Sequence, residues 1–579
     1  YASVALSIDN AKIQSHSSKF VASHLKRPLY HSIYNFRLND TCISEPQPLG
    51  SEVSYCYLSK DEVIIYGSKN TYDYDDSTNK SPFYNLSLSK VQILDNVTQI
   101  GKYLFYMSTV QTFQISKSVT KISSCAFKQC LSLTKFEVNE RNTQFSSIDG
   151  VLLSKNLTLL YYYPIGKTNE QYIIPFNVTK ITEYAFAYSP YLKNITIQRL
   201  TKSIHEFAFS NCVNLAQFTV DENNKNYTAI NGVLFSKEKD ALVKYPIGKT
   251  DESYSMPNTV KAINMYAFEN CRFLKTLRIG NNLTTIKAYS FTQCTSLEAI
   301  NVDESNWNFT SRDGVLFSKD MTKLIKYPSG KTDATYQIPD NVTSISIYAF
   351  DYCHKLESIT ASYQLTNISV NAFTQCTSLK SFVVNSLSIG GITPGFIGTK
   401  AFDYCPKLET VVINRFNWIR KSAFHNCPLL NSFTYYGEIG PNCSVNAFDN
   451  CANLKKVNVR LDYQSNDFCG IPIDKYPISG SATIDPTSMP ISESITQTQT
   501  ETAQPTESPD SSSSKKTGLI VGLTVGFAAA IIIAAVVVVI LKRRQSHDGI
   551  IDPLLSQSIS ITEDENNKNY TERIDQQKD

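Results

Sequence analysis

Three Gly-Lys-Thr triplets, at 166–168, 248–250 and 330–332, invite a nucleotide reading. A phosphate-binding loop needs another Gly five residues before the Gly of the triplet, so that backbone amides can wrap the phosphates. Tyr161, Val243 and Ile325 stand there instead. The triplets return at a fixed interval, as a structural hairpin turn would. The seven histidines, His16, His24, His31, His205, His354, His425 and His547, accompany no His-Glu-x-x-His motif, no Gly-x-Ser-x-Gly motif and no recurring carboxylate pair. Cys125 and Cys130 come nearest to metal-ligand spacing, and no second pair of Cys or His completes a site. No catalytic residue, cofactor or metal is therefore expected. With 55 Lys and Arg against 52 Asp and Glu, net charge +3, no basic stripe forms and nucleic acid is not an expected partner.

The cysteines have a different use. Nine of the fourteen, Cys130, Cys212, Cys271, Cys294, Cys353, Cys376, Cys405, Cys427 and Cys451, occupy one place in a recurring Ala-Phe-x-x-Cys-x-x-Leu frame. A tenth copy, AFAYSPYL at Ala185, has Ser189 there. Stacked in register, such thiols would lie about 4.8 Å apart on adjacent rungs. Parallel Cβ vectors disfavour bonding between them, so a ladder of buried free thiols is expected, with Ser189 as an isostere. Cys42 with Cys56 and Cys443 with Cys469 would each close a modest loop near an end of the array, and are candidates for capping disulfides.

The frame has a regular interval. Successive Phe positions are separated by 59, 23, 59, 23, 59 and 23 residues, then by 29, 22 and 24. The middle of the chain is thus an 82-residue double unit followed by single short units. After each Cys comes Leu at +3, then apolar residues at +6 and usually +8, as in Cys271-Leu274-Leu277-Ile279. The alternating pair at the end marks a short strand with one buried face. No unit can bury its own apolar edge, so the units must stack into a solenoid. The longer units add a module such as TAINGVLFSKEKDALVKYPIGKT. Asp-Gly or Asn-Gly before an apolar run is a turn signal, and predicts a β-hairpin that protrudes from, or extends, each long repeat.

The frame and its Gly-Val-Leu-Phe-Ser-Lys insert resemble the BspA-type leucine-rich repeat proteins, found on the surface of some bacteria and of mucosal parasitic protists such as trichomonads. The resemblance covers roughly residues 90–460. It implies a β-rich solenoid with short helical or 3-10 turns and β-hairpin inserts. It also implies a surface protein that binds host cells or extracellular-matrix proteins such as fibronectin.

Residues 1–90 are expected to form an N-terminal region capping the solenoid of 91–475. Residues 476–516, rich in Ser, Thr and Pro, form an extended stalk. Thr517–Leu541 is uncharged for 25 residues. As a helix it would reach about 37 Å, enough to cross a bilayer. Residues 542–579 are then a short cytoplasmic tail, opened by Lys542, Arg543 and Arg544. Asn-x-Ser/Thr sequons before the span, among them Asn39, Asn85, Asn96, Asn156, Asn177, Asn194, Asn226, Asn282, Asn308, Asn341 and Asn367, fit a glycosylated outside face and a type I plasma-membrane protein. Gly518, Gly522 and Gly526 share one helix face and would let two spans approach as a homodimer. Asp552-Pro553-Leu554-Leu555 is similar to endocytic Asn-Pro-x-aromatic signals, with Asp for Asn and Leu for the aromatic, and would meet an endocytic adaptor. The chain begins with Tyr1, so a processed or truncated product is expected.

The function expected is adhesion to host cells or matrix. The alternatives are a receptor that binds a soluble ligand and is internalised or signals through its tail, or a passive coat. The octapeptide DENNKNYT poses one further question, because it occurs at Asp221–Thr228 and again at Asp564–Thr571. The first copy leads into an insert, with Tyr227 expected as its anchor and Asn226 as a glycan site. The second lies in the tail, where no glycan on Asn569 is expected.

Overall fold

The computed structural model describes residues 42–75, 79–385 and 395–477. All fall in a compact unit spanning Tyr1–Thr483, and a second unit, Ile484–Asp579, lies outside the described residues. Asn39, nearly all of the stalk, the apolar run with Gly518, Gly522 and Gly526, and the tail motif Asp552–Leu555 also lie outside them. Among the described residues no helix is long and apolar enough to cross a membrane.

Each repeat makes one coil through a four-residue strand, a turn, a two-residue strand and a tight arc. Thr276–Ile279 and Thr285–Ile286 are one such pair of strands. Long strands stack in parallel, with Thr276 opposite Ala299 and Ile279 opposite Val302. Short strands do the same in a second sheet, with Ile263 opposite Ile286. Alternation turns Leu277 and Ile279 inward and Arg278 outward, because successive strand side chains face opposite ways. The core lies between the two sheets and the arcs, and joins Leu274, Leu277, Phe268, Phe291 and Ile263. Strand spacing brings the frame phenylalanines into ring stacks. Phe350, Phe373, Phe402, Phe424 and Phe448 follow one another at 4.7, 4.7, 4.9 and 5.0 Å between centroids.

The arcs differ from expectation. Helical or 3-10 turns were expected, yet the described residues contain neither. In most arcs the residue before Ala and the residue before Cys are both left-handed, as at Tyr266 and Asn270 (φ 57° and 56°) or Tyr348 and Tyr352 (φ 55° and 57°). A left-handed residue interrupts a right-handed helix, and costs a non-glycine side chain about 1–2 kcal/mol. The arcs are therefore chains of hydrogen-bonded turns, closed by Ala and Phe packing inward.

The insert extends the solenoid. Asp149-Gly150, Asn231-Gly232 and Asp313-Gly314 all have both residues left-handed, the two-residue turn that matches the twist of an antiparallel hairpin. Phe309–Arg312 pairs with Val315–Ser318, which pairs with Lys323–Lys326. That third strand then runs parallel to Ser344–Ile345 in the short-strand sheet. Tyr327 follows, and its ring stacks 5.1 Å from Phe350. Its N–H donates to the Ala349 carbonyl at 2.9 Å, as the Phe350 N–H donates to Ala372 at 2.7 Å. Tyr163 and Tyr245 stack on Phe186 and Phe268 in the same way. Tyrosine thus stands in the phenylalanine column, and the 82-residue unit holds three rungs, not two. The Gly-Lys-Thr turn is not the hairpin tip. It leads from the inserted rung to the long strand Thr335–Gln337, and Gly330 is required because a Cβ there would lie 2.5 Å from the Ser296 carbonyl carbon.

In the octapeptide, the anchor is Asn224 rather than Tyr227 alone. Asn224 is fully buried. Its amide donates to the carbonyls of Gln198 (2.8 Å) and Thr201 (3.1 Å) on the previous rung. Its Oδ1 accepts the N–H groups of Asn226 and Tyr227, each at 2.8 Å. Asn142 and Asn306 repeat all four bonds. The side chain thereby fastens each hairpin to the rung before it. Asn224→Ala would strand two carbonyls and two N–H groups at a cost of about 3 kcal/mol. Hydrogen exchange in the hairpin Tyr227–Ser236 should accelerate by about a hundredfold, while exchange in Ser358–Ala361 stays unchanged. Unaltered protection in the hairpin would contradict the anchoring role.

Candidate interaction surface

Outward residues of the long-strand sheet are mostly short and polar. Thr335, Ser358, Ser381, Thr410 and Ser432 stand in register on successive strands. The hydroxyls of Ser358 and Ser381 are 2.7 Å apart, and Glu357 pairs with Lys380 at 2.8 Å beside them. A shallow groove of 540 Å³ runs between the strand Lys135–Val138 and the hairpin tip at Asp149-Gly150. Lys135 and Glu137 form an ion pair there, and the Lys167 ammonium donates to the Asp149 carbonyl at 2.7 Å. These broad, shallow surfaces suit contact with another macromolecule better than enclosure of a small substrate.

The column thiols are largely engaged in hydrogen bonds that hold the stack. Column thiols donate to the carbonyl of the phenylalanine one rung back, Cys294 to Phe268 at 2.9 Å and Cys376 to Phe350 at 3.0 Å. Cys130, Cys212, Cys405, Cys427 and Cys451 do the same, at 2.8 to 3.2 Å. Burial pushes the Cys130 and Cys212 thiols up to about 12, so they stay protonated and unreactive. Ser189, Cys271 and Cys353 each follow an inserted rung, which ends in Tyr-Pro. Cys271 and Cys353 reach a carbonyl of their own arc at 4.0 and 3.9 Å instead of the phenylalanine carbonyl, and the Ser189 hydroxyl has no partner. Serine is tolerated where the column's hydrogen bond is missing in any case. Cys125, outside the column, is also buried and free. Disulfides join Cys42 to Cys56 and Cys443 to Cys469.

His425 Nδ1 lies 2.6 Å from Asp403, and His354 Nδ1 lies 2.9 Å from the Thr377 hydroxyl. Both contacts link neighbouring arcs. Among the described residues no group of three His, Cys, Asp or Glu could hold a metal ion. Asn85, Asn96, Asn156, Asn177, Asn226, Asn282, Asn308 and Asn341 are exposed, whereas Asn194 and Asn367 are half-buried at the start of strands.

Two buried ion pairs escape a reading of the sequence. The Lys244 and Lys326 side chains are 4% and 3% exposed, and face Glu269 and Asp351 at 3% and 0%. Lys244 donates to the Tyr266 carbonyl at 2.7 Å and to Glu269 at 3.1 Å. Lys326 contacts the Tyr348 carbonyl at 3.2 Å and bonds Asp351, whose other oxygen accepts the Gln293 N–H at 2.9 Å. Both lysines sit on inserted rungs, which have no arc. The flanking arcs close over the gap, so that Phe207 lies 4.6 Å from Tyr266 and Tyr289 lies 5.2 Å from Tyr348. The lysine supplies donors where an arc would have done so. In the first unit the two positions hold Tyr162 and Ala187, and the Tyr162 hydroxyl donates to the Ser123 carbonyl at 2.9 Å. That paired change, Lys with acid or Tyr with Ala, is the signal the sequence carried.

The family model for the BspA type leucine-rich repeat region matches six copies, over residues 76–158, 161–242, 249–334 and 329–455. Among solved structures, a leucine-rich repeat protein from Eubacterium ventriosum is 22% identical, with 71% of this chain and 96% of that one covered and a TM-score of 0.37. The pneumococcal vaccine antigen PcpA is 19% identical, with 74% and 90% covered and a TM-score of 0.35. A leucine rich cell surface protein from Faecalibacterium prausnitzii is 19% identical, with 72% and 95% covered and a TM-score of 0.35. No curated protein matches the chain.

The two solutions for the inserted rung should be interchangeable as pairs and not singly. Lys326→Met leaves Asp351 as an uncompensated buried charge and should cost about 3–5 kcal/mol in chemical unfolding. Lys326→Tyr combined with Asp351→Ala, which copies the first unit, should recover most of that loss. A double variant as unstable as the single one would refute the equivalence.

Proposed function

This chain belongs to the BspA-type leucine-rich repeat family, and on that premise we propose that it is a single-pass cell-surface protein that binds host-cell or extracellular-matrix proteins. The observation that carries the reading is the row of short polar residues on the outward faces of the stacked strands, beside a broad, shallow groove at the first hairpin. An extended face binds through many modest contacts, and display of many copies on one membrane multiplies them. The uncharged run Thr517–Leu541 would anchor the chain, with the Ser/Thr/Pro-rich stalk lifting the solenoid from the bilayer. Gly518, Gly522 and Gly526 would favour paired copies. The sequons support an outside location for the repeats.

Asp552-Pro553-Leu554-Leu555 favours a second reading, a receptor that takes a soluble ligand inward through an endocytic adaptor at its tail. One experiment separates the two. Cells displaying the full chain, or a chain ending after Arg544, are applied to epithelial monolayers and to immobilised fibronectin. Adhesion by both forms, at similar strength, is the expected result. Adhesion or uptake that needs the tail would favour the receptor, and no attachment by either form would leave a passive coat.

A further inference from the structure

The chain has two tryptophans, Trp307 and Trp418, and both face solvent, at 87% and 52% exposure. Trp is the largest apolar side chain and is mostly buried on average, so a repeat protein that places both outside is using them for something other than its core. Trp418 lies on the outward side of the short-strand sheet. Elsewhere on that side the same position is mostly small or polar, as at Ser203, Thr285, Lys323 and Ser344, with Leu159 an aliphatic exception. Two adjacent rungs depart from this pattern. Phe396 pairs with Asn367 on one side and Trp418 on the other, and Trp418 pairs with Asn442. Two aromatic residues on adjacent strands are thus bracketed by two amides, the four strands spanning about 14 Å.

Arg420 completes the strip. Its guanidinium carbon lies 5.2 Å from the centre of the Phe396 ring. The position equivalent to Arg420 on the previous rung is Gly398, where the backbone of Ser369 and Val370 packs too close for a side chain. Arg415 and Lys421 are exposed nearby, and no carboxylate stands among the outward strand residues of these four rungs.

We propose that Phe396, Trp418 and Arg420, bracketed by Asn367 and Asn442, form a binding strip for an anionic oligosaccharide. The C–H face of a sugar ring stacks on the indole, the cations pair with sulfate or carboxylate, and the amides bond to hydroxyls. This deepens the surface-binding reading and rests on it, since it names the chemistry of one host ligand. Asn367 and Asn442 each begin a sequon, and a glycan on either would cover the strip.

The test uses the purified full chain, treated to remove N-glycans, and follows binding by isothermal titration calorimetry. The probes are a sulfated heparin hexasaccharide, a hyaluronan hexasaccharide carrying carboxylates only, and a neutral chitin hexasaccharide. Saturable binding of the two anionic probes is expected, with the neutral one at least about tenfold weaker. Trp418→Ala should weaken anionic binding by about tenfold, and Trp418→Phe should retain most of it. Arg420→Ala should weaken it and flatten its salt dependence, and Trp307→Phe should leave the titration unchanged. No binding of either anionic probe, equal affinity for the neutral one, or indifference to Trp418→Ala would each overturn the proposal. Adhesion to cells that persists alongside any of these results would show that the strip alone had failed.

Discussion

No rung of this protein is complete without the rung before it. A coil of some two dozen residues exposes a row of backbone groups on each side and half of an aromatic ring, and only another coil can cover them. Parallel strand pairing covers most of the backbone. The arcs have no strands, and there a thiol one rung later takes the phenylalanine carbonyl while the ring stacks on its neighbour. The column of Cys and Phe is therefore a joint rather than a reserve of chemistry. Its cysteines are buried, and seven of the nine donate to that carbonyl, so the thiols serve the stack.

The inserts test that rule, because they interrupt the column. A hairpin cannot supply an arc, so each inserted rung substitutes other parts for the missing ones. Tyrosine replaces phenylalanine in the ring stack, a buried asparagine ties the hairpin backwards, and a lysine with a carboxylate fills the space beneath arcs that have closed over the gap. The first unit replaces the charged pair by Tyr162 and Ala187, and there the donor serves the preceding arc at Ser123 rather than the following one. What the fold demands at that place is a donor to stranded carbonyls and a filled volume, and a net charge pair is one of two ways to provide it.

These substitutions mark the limit of what the sequence disclosed. The frame from Ala126 to Leu454 was legible because each repeat writes the same apolar residues at the same offsets. The third rung of each long unit was not, since Tyr-Pro at 163, 245 and 327 does not read as Ala-Phe. Lys244 and Lys326 read as the solvent side of a hairpin strand, because the partners that bury them lie 25 residues onward. Asn224 was masked by its neighbours in an octapeptide rich in Asn, and Tyr227 drew attention as the only aromatic. Left-handed tyrosines in the arcs gave no signal at all, since tyrosine has no preference for that conformation. The strip at Phe396 and Trp418 was invisible for a different reason. It is a departure from the repeat, and its meaning depends on which rungs become neighbours.

A solenoid built this way leaves its outer faces free to vary, since the joints lie inside. Binding can then be written on the surface without cost to the stack, as suits a family whose repeats serve recognition. The internal joint holds the stack together. Pulsed alkylation with mass spectrometry, read out cysteine by cysteine along a denaturant series, measures it directly. The nine column thiols should resist labelling in the native chain and become reactive together with the unfolding of the core around them. Column thiols that label singly under native conditions, or that are already joined as disulfides, would contradict it.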